Sequence, residues 1–128
     1  DREKGYMLAW DPVKQKEAFR IDYPHAGNGG TMVTAGNLLV EGTINKTFAI
    51  YRADNGQKLW ELPVGSVPVS GPITYRVGGK QYIAVNVGWN SAIVSKLTNP
   101  DGTPFSYAPG RLMVFALDAK GVSLPPAP

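Results

Sequence analysis

The sequence predicts an all-β protein built from antiparallel strands. Its 128 residues include 15 glycines and 11 prolines, which break the chain into short segments separated by turn residues. Those segments are rich in Val, Ile, Tyr, Phe and Thr, which are typical of strands, and none shows the 3.6-residue periodicity of an amphipathic helix. Because 43% of the residues are hydrophobic, a chain of this length can bury a core.

Candidate strands follow one another along the chain at short intervals. In order they are YMLAW from residue 6, EAFRID from 17, TMVTA from 31, NLLVEGT from 37, TFAIYRA from 47, QKLWELPV from 57, GPITYRV from 71, QYIAVNVG from 81 and RLMVFALD from 111. Asn55–Gly56 and Gly78–Gly79 each stand between two of these segments, and glycine accepts the positive φ that tight hairpins require. Consecutive hairpins predict an antiparallel meander.

Composition excludes several classes of function. The 13 basic and 10 acidic residues leave a net charge of +3 that is scattered along the chain, whereas nucleic-acid binding requires basic clusters. The absence of cysteine excludes disulfides, thiolate zinc sites, cysteine nucleophiles and a Cys-x-x-Cys-His haem attachment. No apolar run approaches the roughly 18 residues of a membrane helix, and the first residues lack the order of a signal peptide. We therefore expect neither a nucleic-acid partner nor a membrane span.

The polar and glycine-rich positions give no self-evident catalytic group. Gly29–Gly30 is not a phosphate loop, because no Lys-Ser/Thr follows it and no helix begins there; a simple turn is the alternative. His25 is the only histidine, so we expect a loop residue rather than a metal ligand. The carboxylates Glu41, Asp54, Glu61 and Asp118 show no spacing that would fix a catalytic pair across a cleft.

The chain also aligns with itself. LAWDPVKQKEAF matches AIYRADNGQKLW at an offset of 41 residues, from Phe19 to Trp60, and FALDAKG, which contains Ala116, is a third, partial copy. The matched pairs are Ala9 with Ile50, Asp11 with Arg52, Gln15 with Gly56, and Phe19 with Trp60. A period of about 40 residues is typical of β-propellers, with one four-stranded blade per repeat. The hairpins of a β-sandwich also place turns at nearly regular intervals, so the repeat alone leaves both architectures open.

These repeats resemble the tryptophan-docking motif A-x-D-x-x-T-G-x-x-x-W of quinoprotein dehydrogenases. The first copy departs from it with Phe19 for tryptophan, and the second with Ile50 for alanine and Arg52 for aspartate. From about Gly5 to Asp118, the chain is similar to the carboxy-terminal blades of alcohol dehydrogenases that depend on pyrroloquinoline quinone (PQQ). The resemblance implies antiparallel four-stranded blades of a β-propeller, here partial because the family's propeller has eight blades.

The resemblance also sets the expected domain organisation. Residues 1–122 correspond to carboxy-terminal blades, and residues 123–128 form a proline-rich linker or tail that cannot pair in a sheet. The segment Lys96–Gly110, rich in proline, reads as a long surface loop.

The function implied by the resemblance is part of an oxidoreductase. A quinoprotein alcohol dehydrogenase of this kind oxidises a small alcohol to an aldehyde by hydride transfer to PQQ beside a calcium ion. Its electron acceptor is a cytochrome c, and some members carry haem c in a following domain; the family is periplasmic. The catalytic aspartate and the calcium ligands belong to earlier blades. We therefore assign no catalytic residue and no metal ligand here, and expect the chain alone to be inactive.

Two segments correspond to family segments that face the cofactor. The first precedes GGT in the family and includes Asn28, whose amide would offer a hydrogen bond. The second follows a long apolar strand, and the indole of Trp89 would wall a flat ring. The candidate cofactor-binding residues are Asn28, Gly29, Gly88, Trp89, Asn90, Ser91 and Ala92.

Two other functions stay open on the sequence. One is a non-catalytic propeller scaffold that binds partner proteins in the cell envelope by strand addition, and the other is a free-standing β-sandwich binding module. In the enzyme interpretation the first partners are the remaining blades. Blades without their neighbours expose strand edges and apolar faces, so we expect the isolated chain to be poorly stable or to associate.

Overall fold

The computed structural model describes residues 4–24, 28–68, 70–88, 102–103 and 110–121, and within them every regular element is a strand. The strands are β1 (Gly5–Asp11), β2 (Lys16–Tyr23), β3 (Asn28–Val33), β4 (Leu38–Thr43), β5 (Thr47–Arg52), β6 (Lys58–Pro63), β7 (Ile73–Val77), β8 (Lys80–Val87) and β9 (Arg111–Ala116). Each predicted strand segment overlaps one of them, and β3 begins three residues before its predicted segment. Most of the predicted loop 96–110 and all of the predicted tail 123–128 lie outside the described residues.

The strands form three antiparallel sheets in which sequence neighbours pair. The first sheet is β1-β2, the second is β3-β4-β5-β6, and the third is β7-β8-β9. Both predicted hairpin turns are present: Gly56 has a φ of 74°, and Gly78 and Gly79 have φ values of 57° and 79°. The prediction of an antiparallel meander is confirmed.

The internal repeat is visible in the strand pairing. Ala9 pairs with Phe19 across β1 and β2, and Ile50 pairs with Trp60 across β5 and β6; the register shifts immediately afterwards in both hairpins. The first sheet therefore corresponds to the last two strands of the second sheet. By the same correspondence β9, which ends at Ala116, is the third strand of its sheet, so the described strands form parts of three successive repeat units.

Two apolar clusters join the sheets face to face. Between the second and third sheets, the fully buried ring of Phe48 stacks on Phe115 at a centroid distance of 5.3 Å. Between the first and second sheets lies a cluster of Met7, Tyr23, Leu39, Ala49 and Tyr51. Each described sheet thus packs against the next one along the chain, as successive blades do.

The aromatic residues of the repeat lie at these sheet contacts. The Phe19 ring lies so close to Gly56 of the next sheet that a Cβ on Gly56 would fall 2.5 Å from ring atom Cδ2. Trp60, at the equivalent position, meets Phe115 of the third sheet edge-on at a centroid distance of 5.7 Å. Both aromatic side chains therefore contact the following sheet.

Replacing Gly56 with alanine in the intact protein should lower the free energy of unfolding by about 3 kcal/mol, because the methyl group overlaps the Phe19 ring at a positive φ. Gly78→Ala is the matched control, since Gly78 also has a positive φ of 57° but nothing within 4 Å of its Cβ position. That control should cost about 1 kcal/mol. Urea unfolding followed by tryptophan fluorescence measures both losses, and equal losses would show that the Phe19 contact contributes nothing.

The two outer sheets carry apolar side chains on the faces turned away from the second sheet. Tyr6 and Leu8 of the first sheet are 51% and 41% exposed, and Ile73, Val77 and Leu112 of the third are 61%, 61% and 66% exposed. Faces of this kind suit the packing of further blades. The expected association of the isolated chain stays a prediction.

Candidate functional site

The Asn-Gly-Gly segment forms a β-bulge inside a strand rather than a turn before it. β3 begins at Asn28, opposite Thr43, and returns to regular pairing at Thr31, opposite Glu41. Two glycines of β3 therefore lie against a single residue of β4, which defines a bulge. We call Asn28–Gly30 the glycine bulge. Bulges redirect a strand locally and are frequent beside active sites.

Pro68 packs directly on this bulge. A Cβ on Gly29 would lie 2.0 Å from the Pro68 carbonyl oxygen, and a Cβ on Gly42 would lie 2.2 Å from Pro68 Cβ. These distances leave no room for a side chain at either position. The approach of Pro68 therefore accounts for both glycines without a ligand.

The same segment connects Gly88 to the glycine bulge. Pro68 forms a β-bridge with Val87, and the Gly88 N–H donates to the Val67 carbonyl oxygen at 3.1 Å. A Cβ on Gly88 would lie 2.4 Å from Gly110 Cα, so this glycine is also required by backbone packing. Gly88, the described residue of the second predicted segment, therefore meets the glycine bulge at one end of the second and third sheets through Val67 and Pro68.

The predicted cofactor contacts themselves remain predictions. Asn28, Gly29 and Gly88 lie at the meeting point just described. His25, Trp89, Asn90, Ser91 and Ala92 lie outside the described residues.

A cation lies at the same end of the third sheet. Arg111 begins β9 opposite Val87, and its Nη2 donates to the Val64 carbonyl oxygen at 3.0 Å. Its Nε is buried and has no hydrogen-bond partner in the described part of the chain. The Arg111 guanidinium therefore supports the backbone that leads to Pro68.

A buried carboxyl group lies next to the glycine bulge on β4. Glu41 is 0% exposed, and the Tyr23 hydroxyl donates to its Oε2, while its Oε1 is buried without a partner among the described residues. Burial raises the pKa of Glu41, and the Tyr23 bond opposes that shift. Burial also raises the pKa of Tyr23 and of Tyr51, which packs in the same cluster.

Sequence reasoning missed this group by treating Glu41 as one of several scattered carboxylates. The available signal was its position inside NLLVEGT, an apolar run that forms a strand buried on both faces. A carboxyl group in such a strand has no solvent-facing side and requires a hydrogen-bond partner. That requirement could have pointed to a tyrosine, but not to which one.

The described ranges contain no group of three or more His, Asp or Glu side chains placed to hold a metal ion. Nor does this part of the chain form any helix with the length and apolarity needed to cross a bilayer.

Comparison with known proteins shows the family. Residues 2–83 match the family described as "PQQ: Glucose/ethanol/alcohol dehydrogenase, beta-propeller domain". Quinohemoprotein alcohol dehydrogenase ADH IIB of Pseudomonas putida is 44% identical over 126 residues, which cover 97% of this chain. The chain therefore belongs to the PQQ-dependent alcohol dehydrogenase family, and its strands are blades of a β-propeller.

Solved structures agree with this assignment. The crystal structure of quinohemoprotein alcohol dehydrogenase from Comamonas testosteroni superposes with a TM-score of 0.83 at 37% identity over 95% of this chain. A europium-containing methanol dehydrogenase gives a TM-score of 0.61 at 32% identity over 65% of it. The chain spans 18% of the length of the Pseudomonas relative and 18% of the Comamonas chain.

Proposed function

We propose that this chain forms one wall of the cofactor chamber of a PQQ-dependent alcohol dehydrogenase. The whole enzyme would oxidise small alcohols to aldehydes by hydride transfer to PQQ. The observation that carries the proposal is the meeting of the glycine bulge with Gly88 through Val67 and Pro68. Ligand sites gather where the ends of several elements converge, and both segments correspond to cofactor-facing segments of the family.

The residues at this end fit the edge of a flat, oxygen-rich cofactor. Gly29 and Gly30 stand outside the regular pairing of β3 with β4, and a bulge of this kind redirects the strand beside a site. In this proposal Asn28 would contribute an amide, and Trp89, which lies outside the described residues, would contribute an indole suited to a planar ring. Arg111 Nη2 donates to the Val64 carbonyl oxygen, and we do not assign this cation to the cofactor.

PQQ, when bound, supplies the quinone that accepts the hydride. The residues of this chain would bind and orient the cofactor. Asn28 would form a hydrogen bond with it, while Pro68 holds the glycine bulge in place. The apolar cluster that contains Phe48 and Val87, the residue before Gly88, would exclude water from this end of the sheets. In this proposal the catalytic aspartate and the calcium ligands belong to other blades, and the europium named for one structural neighbour is consistent with a metal there.

The proposal extends to the cellular setting of the enzyme. It would act in the periplasm, with the remaining blades as its first partners and a cytochrome c as its electron acceptor, and haem c would lie in a following domain if one is present. The relatives named above are dehydrogenases, which favours the enzyme over the envelope scaffold.

The decisive experiment uses the protein expressed from its complete gene. Loaded with PQQ and calcium, it should reduce an artificial dye when primary alcohols are added. A well-folded, loaded preparation that shows no alcohol-dependent dye reduction would overturn the enzyme proposal.

A substitution at Asn28 tests the assignment of the wall. Asn28→Ala in the intact apo-protein should weaken PQQ binding about tenfold, the effect expected for one lost hydrogen bond. Asn86→Ala is the control, because Asn86 is an exposed asparagine of β8 that we do not assign to the site. Titration of the apo-protein with PQQ, followed by quenching of tryptophan fluorescence, gives both dissociation constants. Unchanged binding in Asn28→Ala would remove Asn28 from the site.

A further inference from the structure

We infer that Glu41 is a positioning residue for the glycine bulge, because this one residue holds both ends of the segment that contains the bulge. Its backbone pairs with Thr31, where β3 resumes regular pairing. Its side chain accepts a hydrogen bond from Tyr23, the last residue of β2. The inference rests on the proposed function in naming PQQ as the ligand that responds to the bulge.

The connection from Tyr23 to the glycine bulge is short. Only residues 24–27 separate Tyr23 from Asn28, so the position of the Tyr23 hydroxyl limits where β3 can begin. Tyr23 is itself fixed, since it is 6% exposed and packs between the first two sheets. On the opposite side, Pro68 blocks the bulge from moving across β4. Glu41 therefore joins the second sheet to the end of β2, from which the chain leads into the glycine bulge.

Among the described residues, one cation, Lys58, faces the Glu41 carboxyl group. The facing groups in the described residues are Tyr23 on β2, Tyr51 on β5, Glu61 on β6 in register through Ala49, and Lys58, which pairs with Glu61 at 2.9 Å. β1 contributes the apolar Met7 and β3 contributes Thr31. Since Lys58 is already paired, Tyr23 is the partner that the structure provides for Glu41.

The buried carboxyl group of Glu41 makes the stability of the folded protein dependent on pH. Because burial raises its pKa in the folded protein, the stabilising contribution is complete below the ordinary glutamate pKa of about 4.3. The contribution is lost as pH rises through the raised value. Glutamine cannot ionise and keeps an oxygen for the Tyr23 hydroxyl. Glu41→Gln should therefore flatten the pH dependence of the melting temperature of the apo-protein above about pH 4.3.

The test compares four variants of the intact apo-protein by PQQ titration. Tyr23→Phe and Glu41→Ala remove the hydrogen bond between Tyr23 and Glu41. Both should weaken PQQ binding about tenfold, because a small displacement of the glycine bulge would misplace the groups that bind PQQ. Glu41→Gln should bind PQQ like the wild type. Val40→Ala is the stability control, since Val40 is a fully buried neighbour on the opposite face of β4, and it should lower stability without weakening PQQ binding.

Hydrogen–deuterium exchange provides a readout that does not need PQQ. The amides of residues 28–30 should exchange faster in Tyr23→Phe than in the wild type or Val40→Ala, because the opening is local rather than global. The inference would be overturned if Tyr23→Phe bound PQQ as tightly as the wild type does. It would also be overturned if Val40→Ala lost as much PQQ affinity as Tyr23→Phe. If the wild type does not bind PQQ, the proposed function is wrong. The exchange data then test the positioning role of Glu41 alone, and unchanged exchange in Tyr23→Phe would overturn it.

Discussion

Replacing Gly29 with alanine should lower the free energy of unfolding of the intact protein by about 3–4 kcal/mol. The added Cβ would lie 2.0 Å from the Pro68 carbonyl oxygen and 2.7 Å from its carbonyl carbon. These are backbone atoms, and Pro68 is held by its bridge to Val87, so no flexible side chain can yield. The strands must separate, and the same movement would carry the bulge away from Gly88.

Gly71→Ala is the control for this prediction. Gly71 lies in the segment that follows Pro68, and its Cβ position has nothing within 4 Å, so alanine there should change the free energy by no more than about 0.5 kcal/mol. Chemical unfolding monitored by circular dichroism measures both variants. A Gly29→Ala protein as stable as Gly71→Ala would contradict the close packing of Pro68 on the bulge.

Local signals in the sequence predicted the fold well. Asn55–Gly56 and Gly78–Gly79 carry their turn preference in their own covalent chemistry, so the hairpins follow without knowledge of the rest of the molecule. The repeat with an offset of 41 residues is also visible in the structure, because Phe19 and Trp60 occupy the same register in equivalent hairpins. Pairing of sequence neighbours then led directly to the meander.

The site depends on contacts between residues far apart in sequence, and these were not predictable. Gly29 reads as a turn glycine until Pro68 is placed against it, because the steric conflict belongs to another segment of the chain. In the sequence Glu41 is one of several scattered carboxylates, and its role becomes visible only when Tyr23 of the neighbouring sheet is placed beside it. The resemblance indicated which segments should meet, but only the packing of sheets shows that Val67 and Pro68 join them.

Phe48→Ala should be the most destabilising core substitution that we propose, at about 3–5 kcal/mol. Phe48 is 0% exposed, and its ring stacks on Phe115 with an interplanar angle of 15°. Its removal leaves a cavity between the second and third sheets, where neither backbone can collapse without breaking strand pairs. Val13→Ala is the surface control, because Val13 is 90% exposed, and should change stability by no more than about 0.5 kcal/mol.

A double-mutant cycle separates docking of the third sheet from simple loss of volume. If the Phe48 ring acts mainly by stacking on Phe115, Phe48→Leu should still lose about 1–2 kcal/mol despite its similar bulk. The same loss should then be smaller in a Phe115→Leu background by about 0.5–1.5 kcal/mol, the coupling expected for an aromatic pair. Strictly additive losses would show that the second and third sheets dock without a contribution from this pair.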